Sequence, residues 1–405
     1  ARPVRPTQTG GRGRGSQRGW PGPVPAAGDE TLDYRSPGQQ TVPMKITVLA
    51  FFDRISAFHS LKPFLFSRHR KMFSYTRDPE YLLKRDRNKV LFMDRWFLKP
   101  DRVDMELMKR LRNKYETIFF FNGNAGGGIP RLEVLPFVDY LFNKALYKDR
   151  SLYRRSLYGD ELYTDYYHEA FGVEDPELRR RATIQEVVGD DPAAIEAALA
   201  KLKVGWNIGI GDFPKLKTRQ RIAVGLSRIF GMEVVRPFYK HPELPSQLPE
   251  NKELYDVQAR WGGPKRPTLK IHRELFEDRI KDDPRFLVGR VEQKQYNEEI
   301  RHSKITLSPF GWGELCFRDF EAVLNGSLLL KPDMSHLETW PDIFLPYETY
   351  VPTEWDGEDV VEMGARYLED GTERHRIVRQ AFDRYREEAG KLEERLEGIL
   401  ELLPT

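Results

Sequence analysis

Three charged residues, Glu314, Arg318 and Glu321, are spaced so that a single helix face would carry all of them. We predict that this helix spans residues 314–325, because a glycine turn precedes it and Gly326 ends it. The turn follows an apolar run typical of a buried strand, and open α/β sheets bind ligands at the carboxyl ends of their strands. A helix N-terminus and an arginine both favour phosphate, while a carboxylate can accept hydrogen bonds from ribose hydroxyls. The spacing therefore predicts a site for a nucleotide diphosphate.

A solvated stripe of Glu–Arg pairs at helical spacing is the alternative explanation of the same residues. Two glycine-rich turns favour the ligand site. Gly311 and Gly313 lie directly before the predicted helix. Arg260 and Lys265 lie in a basic, glycine-rich loop after another predicted strand. Because glycine allows a ligand to approach the backbone and basic side chains neutralise phosphate, we assign all four residues to the same binding region.

Short apolar runs alternate with helical patterns along two parts of the chain, which predicts an α/β fold with parallel sheets. In the first part, the predicted strands cover residues 45–52, 72–76, 89–93, 117–121 and 204–210. In the second part, the predicted strands cover residues 255–259, 285–289, 304–307, 327–330 and 349–352. The helices predicted there cover residues 268–281, 295–302, 314–325 and 335–340. We expect two Rossmann-like domains that face a cleft.

Composition sets the predicted domain boundaries. Residues 1–43 are rich in Arg, Gly and Pro and lack apolar periodicity, which is typical of a disordered tail. Residues 44–240 form the predicted first domain and residues 253–370 the second, with a proline-rich linker at 241–252. Residues 371–405 are predicted to form a C-terminal helix.

Acidic side chains and a glycine loop follow the predicted strands of the first domain. Asp53 and Asp94 each lie directly after a strand, at the edge where parallel sheets bind ligands. Turn capping, or pairing with the arginine that follows each of them, is the alternative role. The loop at residues 122–128 contains four glycines. It either approaches a ligand or the other domain closely, or forms a flexible surface loop.

Composition excludes several classes of site. The chain has 405 residues, with 65 Lys and Arg, 62 Asp and Glu, and a single cysteine. Near charge balance predicts no nucleic-acid partner, and one cysteine excludes an internal disulfide or a cysteine-based zinc site. No P-loop, HExxH, EF-hand or Asp-x-Asp pattern occurs, and the eight histidines lack ligand spacing. We therefore expect no metal and no cofactor, with Arg and Lys neutralising phosphate.

The distribution of apolar residues along the chain gives an expectation for the location of the protein. No run of about 18 apolar residues occurs, so no membrane span is expected, and a cytoplasmic location fits the single free thiol. Residues 215–230 form a predicted basic amphipathic helix. Such a helix either covers a sheet or lies on an anionic membrane, which would place the protein peripherally at the inner face of the membrane.

The segment SPFGWGELCFRDFEAVLNGSLLLKPD, residues 308–333, resembles the nucleotide-sugar-binding core of exostosin-like and related bacterial glycosyltransferases. Two Rossmann-like domains, a linker and a terminal helix resemble the GT-B architecture. The resemblance implies transfer of a hexosyl or pentosyl group from a nucleotide-sugar donor to a glycan or lipid-linked acceptor. It also implies that Arg318 contacts the diphosphate, Glu321 the ribose, and Glu314 either the donor sugar or the edge of the phosphate.

The segment departs from the pattern of the retaining enzymes, because six residues rather than seven separate Glu314 from Glu321. For an inverting reaction, a first-domain carboxylate such as Asp53 or Asp94 would deprotonate the acceptor, and Glu314 is a further catalytic candidate. We expect a metal-independent glycosyltransferase of surface polysaccharide or glycoconjugate synthesis. A nucleotide-sugar epimerase and a non-catalytic nucleotide- or sugar-binding protein are the alternatives.

Overall fold

The computed structural model describes residues 44–50, 55–94, 104–123, 126–178, 180–211, 217–238, 244–263 and 266–404. The predicted disordered tail at residues 1–43, Asp53 and Lys265 lie outside the described residues. So does part of the predicted linker.

The first Rossmann-like domain is built on a six-stranded sheet whose neighbouring strands all pair in parallel. Its strands are β1 (Ile46–Leu49), β2 (Phe73–Thr76), β3 (Val90–Asp94), β4 (Thr117–Asn122), β5 (Tyr140–Asn143) and β7 (Leu202–Val204). The strand β6 (Ala145–Tyr147) follows β5 along the chain but does not belong to this sheet. The spatial order is β2-β1-β3-β4-β5-β7. β1, β3 and β4 are buried along their whole length, because helices cover both faces of the sheet.

The helices of this domain are α1 (Ile55–Phe66), α2 (Pro79–Lys84), α3 (Met105–Lys114), α4 (Leu162–Phe171), α5 (Ile184–Val188), α6 (Pro192–Ala200) and α7 (Lys217–Phe230). Helices α1 to α6 lie in the connections between the strands, and α7 follows the last strand. Acidic N-caps begin three of them: Asp78 accepts the N–H of Glu80, Asp104 accepts that of Leu107, and Asp191 accepts that of Ala193.

The second domain repeats the same winding on a smaller scale. Its strands are β8 (Tyr255–Ala259), β9 (Phe286–Val288), β10 (Ser303–Leu307), β11 (Leu328–Pro332), the separate strand β12 (Leu337–Thr339) and β13 (Val351–Thr353). The five-stranded sheet has the order β13-β11-β10-β8-β9, with every pair parallel. Its helices are α8 (Pro267–Ile280), α9 (Gln293–Arg301), α10 (Phe317–Leu324) and α11 (Val360–Glu369). The predicted α/β class with two Rossmann-like parallel sheets is confirmed.

Three predicted elements differ from the structure. The helix expected at 314–325 begins at Phe317, so Glu314 precedes it. The helix expected at 335–340 is the strand β12, whose residues alternate between buried and half-buried. The strand expected at 204–210 ends at Val204, and a short 3-10 turn follows, because the Asn207 side chain accepts the N–H of Gly209.

The C-terminal segment forms two helices rather than one, α12 (Gly371–Gly390) and α13 (Leu392–Leu400). Ile377 and Val378 of α12 pack on the second sheet. Leu396 and Ile399 of α13 join the core beneath α1 and α7 of the first domain. Through α13 the chain therefore returns to its first domain.

The two domains are joined by a small antiparallel ladder. β12 of the second domain pairs with β6 of the first, with Leu337 opposite Tyr147 and Thr339 opposite Ala145. Beside this ladder, the amide of Asn207 donates to Oγ1 of Thr339 (2.7 Å) and to the carbonyl of Pro341 (2.9 Å). Asn207 is buried, so these hydrogen bonds are shielded from competing water.

Replacing Asn207 by Ala removes both donors and the acceptor for Gly209, leaving buried polar groups without partners. We expect the free energy of unfolding to fall by about 2–4 kcal/mol, measured by urea denaturation. Gln293→Ala, which removes an exposed amide from α9, serves as the control and should change it by less than about 0.5 kcal/mol. Equal stability of the two variants would contradict a role for Asn207 in joining the domains.

Candidate functional site

The site begins where β10 ends, next to the point at which the strand order of the second sheet reverses. β8 and β10 are neighbours there, and their following connections go to opposite sides, which opens a crevice at their carboxyl ends. Two stretches enter this crevice: residues 260–263 after β8, and residues 308–316 after β10.

A buried ion pair holds the second of these stretches. Asp319 and Lys331 are both fully buried, with Oδ2 of Asp319 3.1 Å from Nζ of Lys331. The same carboxylate accepts the N–H of Cys316 (2.8 Å) and the hydroxyl of Ser308. Because Asp319 caps the helix from its third position, α10 begins at Phe317 and the turn before it has a defined shape.

Two arginines lie side by side at this turn. Arg318, in the first turn of α10, has a buried Nη1 without a hydrogen-bond partner, and its guanidinium lies 5.8 Å from the ring of Trp261. Arg273, on α8, donates to the carbonyls of Phe310 and Gly262. Burial and the nearby charge of Arg318 lower the pKa of Arg273. Neither arginine has a carboxylate partner among the described residues, so this corner of the crevice carries positive charge that can bind an anion.

Gly311 allows the turn to pass close to these groups. A Cβ atom on Gly311 would lie 3.0 Å from Sγ of Cys316 and 3.7 Å from Nη2 of Arg273. The N–H of Gly311 donates to the carbonyl of Gly313 (2.9 Å), which closes the turn. Gly311 therefore lies beside Arg273, and the phosphate-binding role of the turn stays a prediction.

Glu321 lies one helical turn beyond Arg318. Its Oε2 accepts the hydroxyl of Tyr296, from α9, at 2.6 Å. The charge of Glu321 contributes, after burial, to raising the pKa of Tyr296, so that this phenol stays a donor. The carboxylate is half-buried and remains able to accept hydrogen bonds from a diol.

Glu314 does not share the helix face of Arg318 and Glu321, which corrects the predicted three-residue stripe. It lies in the turn before α10, is fully buried, and its Oε2 accepts the N–H of Gly127 at 2.9 Å. Gly127 belongs to the glycine loop after β4 of the first domain. The second domain therefore contacts the first through this carboxylate.

A second carboxyl group lies beside Glu314. Glu161, buried at the start of α4, accepts the N–H of Gly128 at 2.7 Å, so consecutive amides of one loop bind the two acids. The Glu161 carboxyl shares a hydrogen bond with Glu314. Burial and the charge of Glu314 raise the pKa of Glu161 well above its ordinary value, so Glu161 keeps its proton.

The glycines of this loop are required by the close approach of Glu161. A Cβ on Gly126 would lie 1.3 Å from Oε1 of Glu161, and one on Gly128 would lie 2.1 Å from the carbonyl of Asp160. A larger residue at either position would displace Glu161. Of the two interpretations of the loop, close contact with the other domain is the one that the structure shows.

His336 completes the buried cluster. Its Nε2 lies 3.9 Å from Oε1 of Glu314, and neither ring nitrogen has a hydrogen-bond partner. The ring packs against Tyr147 and Trp355. The net pKa of Glu314 is lowered. Burial acts to raise this pKa, but the effects of the His336 ring and the Gly127 amide together are larger. The cluster thus contains an imidazole and a buried carboxylate oxygen, Oε1 of Glu314, that have no hydrogen-bond partner.

A neutral histidine supports the turn from behind. His272 is fully buried, and its Nε2 accepts the N–H of Phe310 at 2.8 Å. Burial and the charges of Arg273 and Lys331 lower its pKa well below the ordinary value. The neutral ring must then donate from Nδ1, which places Tyr167 of α4 as the acceptor. Tyr167 in turn donates to the carbonyl of Trp355.

The remaining predicted residues lie apart from this cluster or outside the described chain. The guanidinium of Arg260 binds Glu299 through two hydrogen bonds of 2.7 and 2.8 Å and also donates to the carbonyl of Val288. This buried ion pair replaces the predicted phosphate contact, so the geometry gives Arg260 a structural role. Asp94 is the buried last residue of β3. Asp53 and Lys265 lie outside the described residues.

Sequence reasoning did not single out Glu161 or His336 as site residues, and it left Arg273 open between a phosphate contact and a surface charge. Glu161 lies among closely spaced tyrosines without a recognisable motif, and His336 directly precedes β12, in a segment predicted as a helix. Recognising that β12 pairs with β6 would have indicated His336, because Leu337, the next residue, lies opposite Tyr147. No local pattern marks Glu161.

Metal ligands do not gather at this site within the described chain. Glu161, Glu314 and His336 are its candidate ligands, but they do not bring three ligand atoms together. The arginine pair is the arrangement that suits a diphosphate without a bridging ion.

Comparison with known proteins finds a family match for the C-terminal part of the chain. Residues 248–401 match the family model described as glycosyl transferase-like. No curated protein matches the chain. Among solved structures, it is similar to HepE of Anabaena in complex with UDP and glucose, with 9% identity over 89% of this chain and 100% of that chain, at a TM-score of 0.39. It is also similar to an alpha,alpha-trehalose-phosphate synthase (UDP-forming) from Burkholderia vietnamiensis, with 11% identity over 86% and 87%, at a TM-score of 0.40.

The raised pKa of Glu161 predicts a dependence of stability on pH. The Glu161 carboxyl titrates near pH ~4.3 in the unfolded chain and at higher pH in the folded chain. Between these two pKa values, the native state therefore binds more protons than the unfolded state. Stability contributed by Glu161 is therefore complete below the unfolded pKa and is lost as pH rises through the folded pKa. We expect Glu161→Gln, which cannot ionise, to gain stability relative to the unmodified chain as pH rises from 5 to 8, by up to about 1.4 kcal/mol per unit.

Chemical denaturation at several pH values measures this difference. Glu186→Gln is the matched control, because Arg180 lowers the pKa of Glu186 to about 2. Its effect should be constant across the same range and should change only in acid. Parallel stability curves for Glu161→Gln and the unmodified chain would contradict the assignment.

Proposed function

We propose that this protein is a glycosyltransferase that transfers a sugar from a nucleotide-sugar donor to an acceptor hydroxyl. The observation that carries the proposal is the arginine pair, Arg273 and Arg318, at the switch point of a domain that matches the glycosyl transferase-like family. Two uncompensated positive charges at the first turn of a helix suit a diphosphate. Glu321, one turn further along α10, suits the ribose.

The same charges would assist the chemical step. When an acceptor oxygen attacks the anomeric carbon, the bond from that carbon to the diphosphate oxygen breaks and negative charge develops on the leaving diphosphate. Arg273 and Arg318 would stabilise this charge in a partly water-excluded pocket. Glu314 and His336 would contact the donor sugar or the reacting oxygens, because they lie on the side of the turn that faces the first domain.

The domains must separate locally to admit the sugar. Glu314 is fully buried against Gly127, so a substrate cannot reach its carboxylate in the arrangement described. We propose that the donor sugar displaces the Gly127 contact, and that reclosure of the domains excludes water. Glu161 is then a protonated first-domain carboxyl brought to the reacting region, whereas Asp53 and Asp94 remain the candidates for deprotonation of an acceptor.

We also propose how the reaction proceeds, which substrates it uses and where it takes place. The reaction is metal-independent, because two arginines can neutralise a diphosphate, and it uses no cofactor. The resemblance of residues 308–333 to exostosin-like glycosyltransferases supports the other assignments. These are a hexosyl or pentosyl donor, a glycan or lipid-linked acceptor, a role in surface polysaccharide or glycoconjugate synthesis, a cytoplasmic location and exostosin-like ancestry.

Donor binding tests the proposal. We expect Arg318→Ala and Arg273→Ala each to weaken binding of a nucleoside diphosphate sugar by about 10–100-fold, since a charge-assisted hydrogen bond contributes about 1.5–3 kcal/mol. Isothermal titration against a panel of nucleotide sugars measures the change. Arg279→Ala, on the same helix α8 but exposed and paired with Glu358, is the matched control and should bind normally.

Turnover assays distinguish the alternatives. Release of nucleoside diphosphate that depends on an acceptor supports transfer, whereas interconversion of donor sugars without an acceptor supports an epimerase. Binding without turnover supports a non-catalytic protein. Failure of the unmodified chain to bind any nucleotide sugar would overturn the proposal.

A surface on α7 supports peripheral membrane association. Within the described residues, no helix is long and apolar enough to cross a membrane. Ala223 and Val224 of α7 face the core, as the sheet-covering interpretation predicts. Ile229 and Phe230, however, are 75% and 67% exposed at the end of this basic helix. Apolar side chains beside arginines suit the interface of an anionic bilayer, so we propose that α7 contacts the membrane that supplies a lipid-linked acceptor.

Vesicle binding tests the membrane contact. We expect Ile229→Ser combined with Phe230→Ser to reduce cosedimentation with vesicles containing phosphatidylglycerol by about tenfold, because two apolar anchors are lost. Phe171→Ser, which removes an exposed aromatic from α4, serves as the control. If the unmodified chain does not bind anionic vesicles at all, the membrane contact is excluded.

A further inference from the structure

A cluster of metal-binding side chains lies where α13 packs on the first domain, away from the donor site. Glu393 and Glu397 are four residues apart on α13, so their carboxylates extend from one helix face. His69, in the loop after α1, meets that face, with its Nε2 2.8 Å from Oε1 of Glu397. One ligand atom from each of the three residues lies within 4.8 Å of the other two.

The three residues direct lone pairs at one positive group, the guanidinium of Arg68. Nε of Arg68 donates to Nε2 of His69 at 3.4 Å and lies 3.8 Å from Oε1 of Glu393, while Nη2 pairs with Glu397. The backbone N–H of Arg68 also donates to Glu393 at 3.0 Å, which orients that carboxylate. The arginine thus occupies a position at which the same atoms can bind a smaller cation of higher charge.

We infer that His69, Glu393 and Glu397 form a binding site for a divalent transition-metal ion of the Zn²⁺ class. One imidazole nitrogen and two carboxylate oxygens are a ligand set that Zn²⁺ accepts, with water completing the tetrahedron. Bonds of about 2.0–2.2 Å separate the ligand atoms of such a site by about 3–4 Å. Mg²⁺ and Ca²⁺ prefer ligand sets made of oxygen alone, so the imidazole selects against them.

The side chains are accessible and suitably charged for this role. Those of His69, Glu393 and Glu397 are 32%, 35% and 26% exposed, so an ion can enter from solvent. The Arg68 side chain is 67% exposed and can turn into water at little cost.

A bound ion would join parts of the chain that are more than 300 residues apart. It would fasten α13 to the loop after α1, and thereby the end of the chain to its first domain. The site shares no residue with the donor site, so the metal would stabilise the fold and take no part in sugar transfer.

Metal titration of the full chain tests the inference. After treatment with a chelator, we expect excess Zn²⁺ to raise Tm by about 2–4 °C, and Co²⁺ to give a visible absorption band typical of tetrahedral coordination. His69→Ala and Glu397→Gln should abolish both effects. Arg68→Ala removes the competing cation and should strengthen Zn²⁺ binding by about tenfold.

The Arg68 variant separates a metal site from a simple salt-bridge cluster, because a salt-bridge cluster would lose stability in Arg68→Ala without gaining metal affinity. His375→Ala is the matched control, since His375 contacts Glu253 at 2.8 Å in an exposed pair away from α13. It should leave Zn²⁺ binding unchanged. No Zn²⁺ or Co²⁺ binding by the unmodified chain and Arg68→Ala, or equal binding by His69→Ala, would overturn the inference.

Discussion

The buried ion pair between Asp319 and Lys331 is the interaction on which the candidate site depends. Both side chains are removed from water, and replacing one of them would leave a buried charge, at a cost of about 3–5 kcal/mol. Asp319 also accepts the N–H of Cys316, which sets the first residue of α10. That boundary places Arg318 beside Arg273 and leaves Glu314 in the turn, directed at the first domain. One carboxylate therefore separates the arginine pair from the carboxylate that faces the first domain.

The second constraint is the close contact between the domains. Consecutive amides of the glycine loop bind Glu314 from one domain and Glu161 from the other. Two carboxyl groups can share this space because one of them keeps its proton. The contact is polar, and the antiparallel pairing of β6 with β12 lies next to it. A substrate that supplies better partners to Glu314 can therefore compete with the glycine loop, which couples donor binding to domain movement.

The strands of both sheets were largely predictable, because parallel strands buried on both faces are continuous apolar runs bounded by turn residues. Five of those in the second domain were placed within a few residues. The strands β5, β6 and β12 were not predicted. Of these, β6 and β12 are short and each is stabilised by a partner almost 200 residues away. The N-terminus of α10 was misplaced by three residues, because Asp319 and its buried partner outweigh the helical spacing of Glu314.

The sequence by itself determined the α/β class, the turn that contains Gly311 and Gly313, and the positions of Arg318 and Glu321 on one helix, because these depend on local periodicity and turn chemistry. Tertiary structure alone decided that Arg273 joins Arg318, that Arg260 pairs with Glu299, and that Glu161 and His336 surround Glu314. Each of these contacts joins residues brought together by packing of separate elements. Burial then sets their charges, and burial is a property of the folded chain that no local pattern contains.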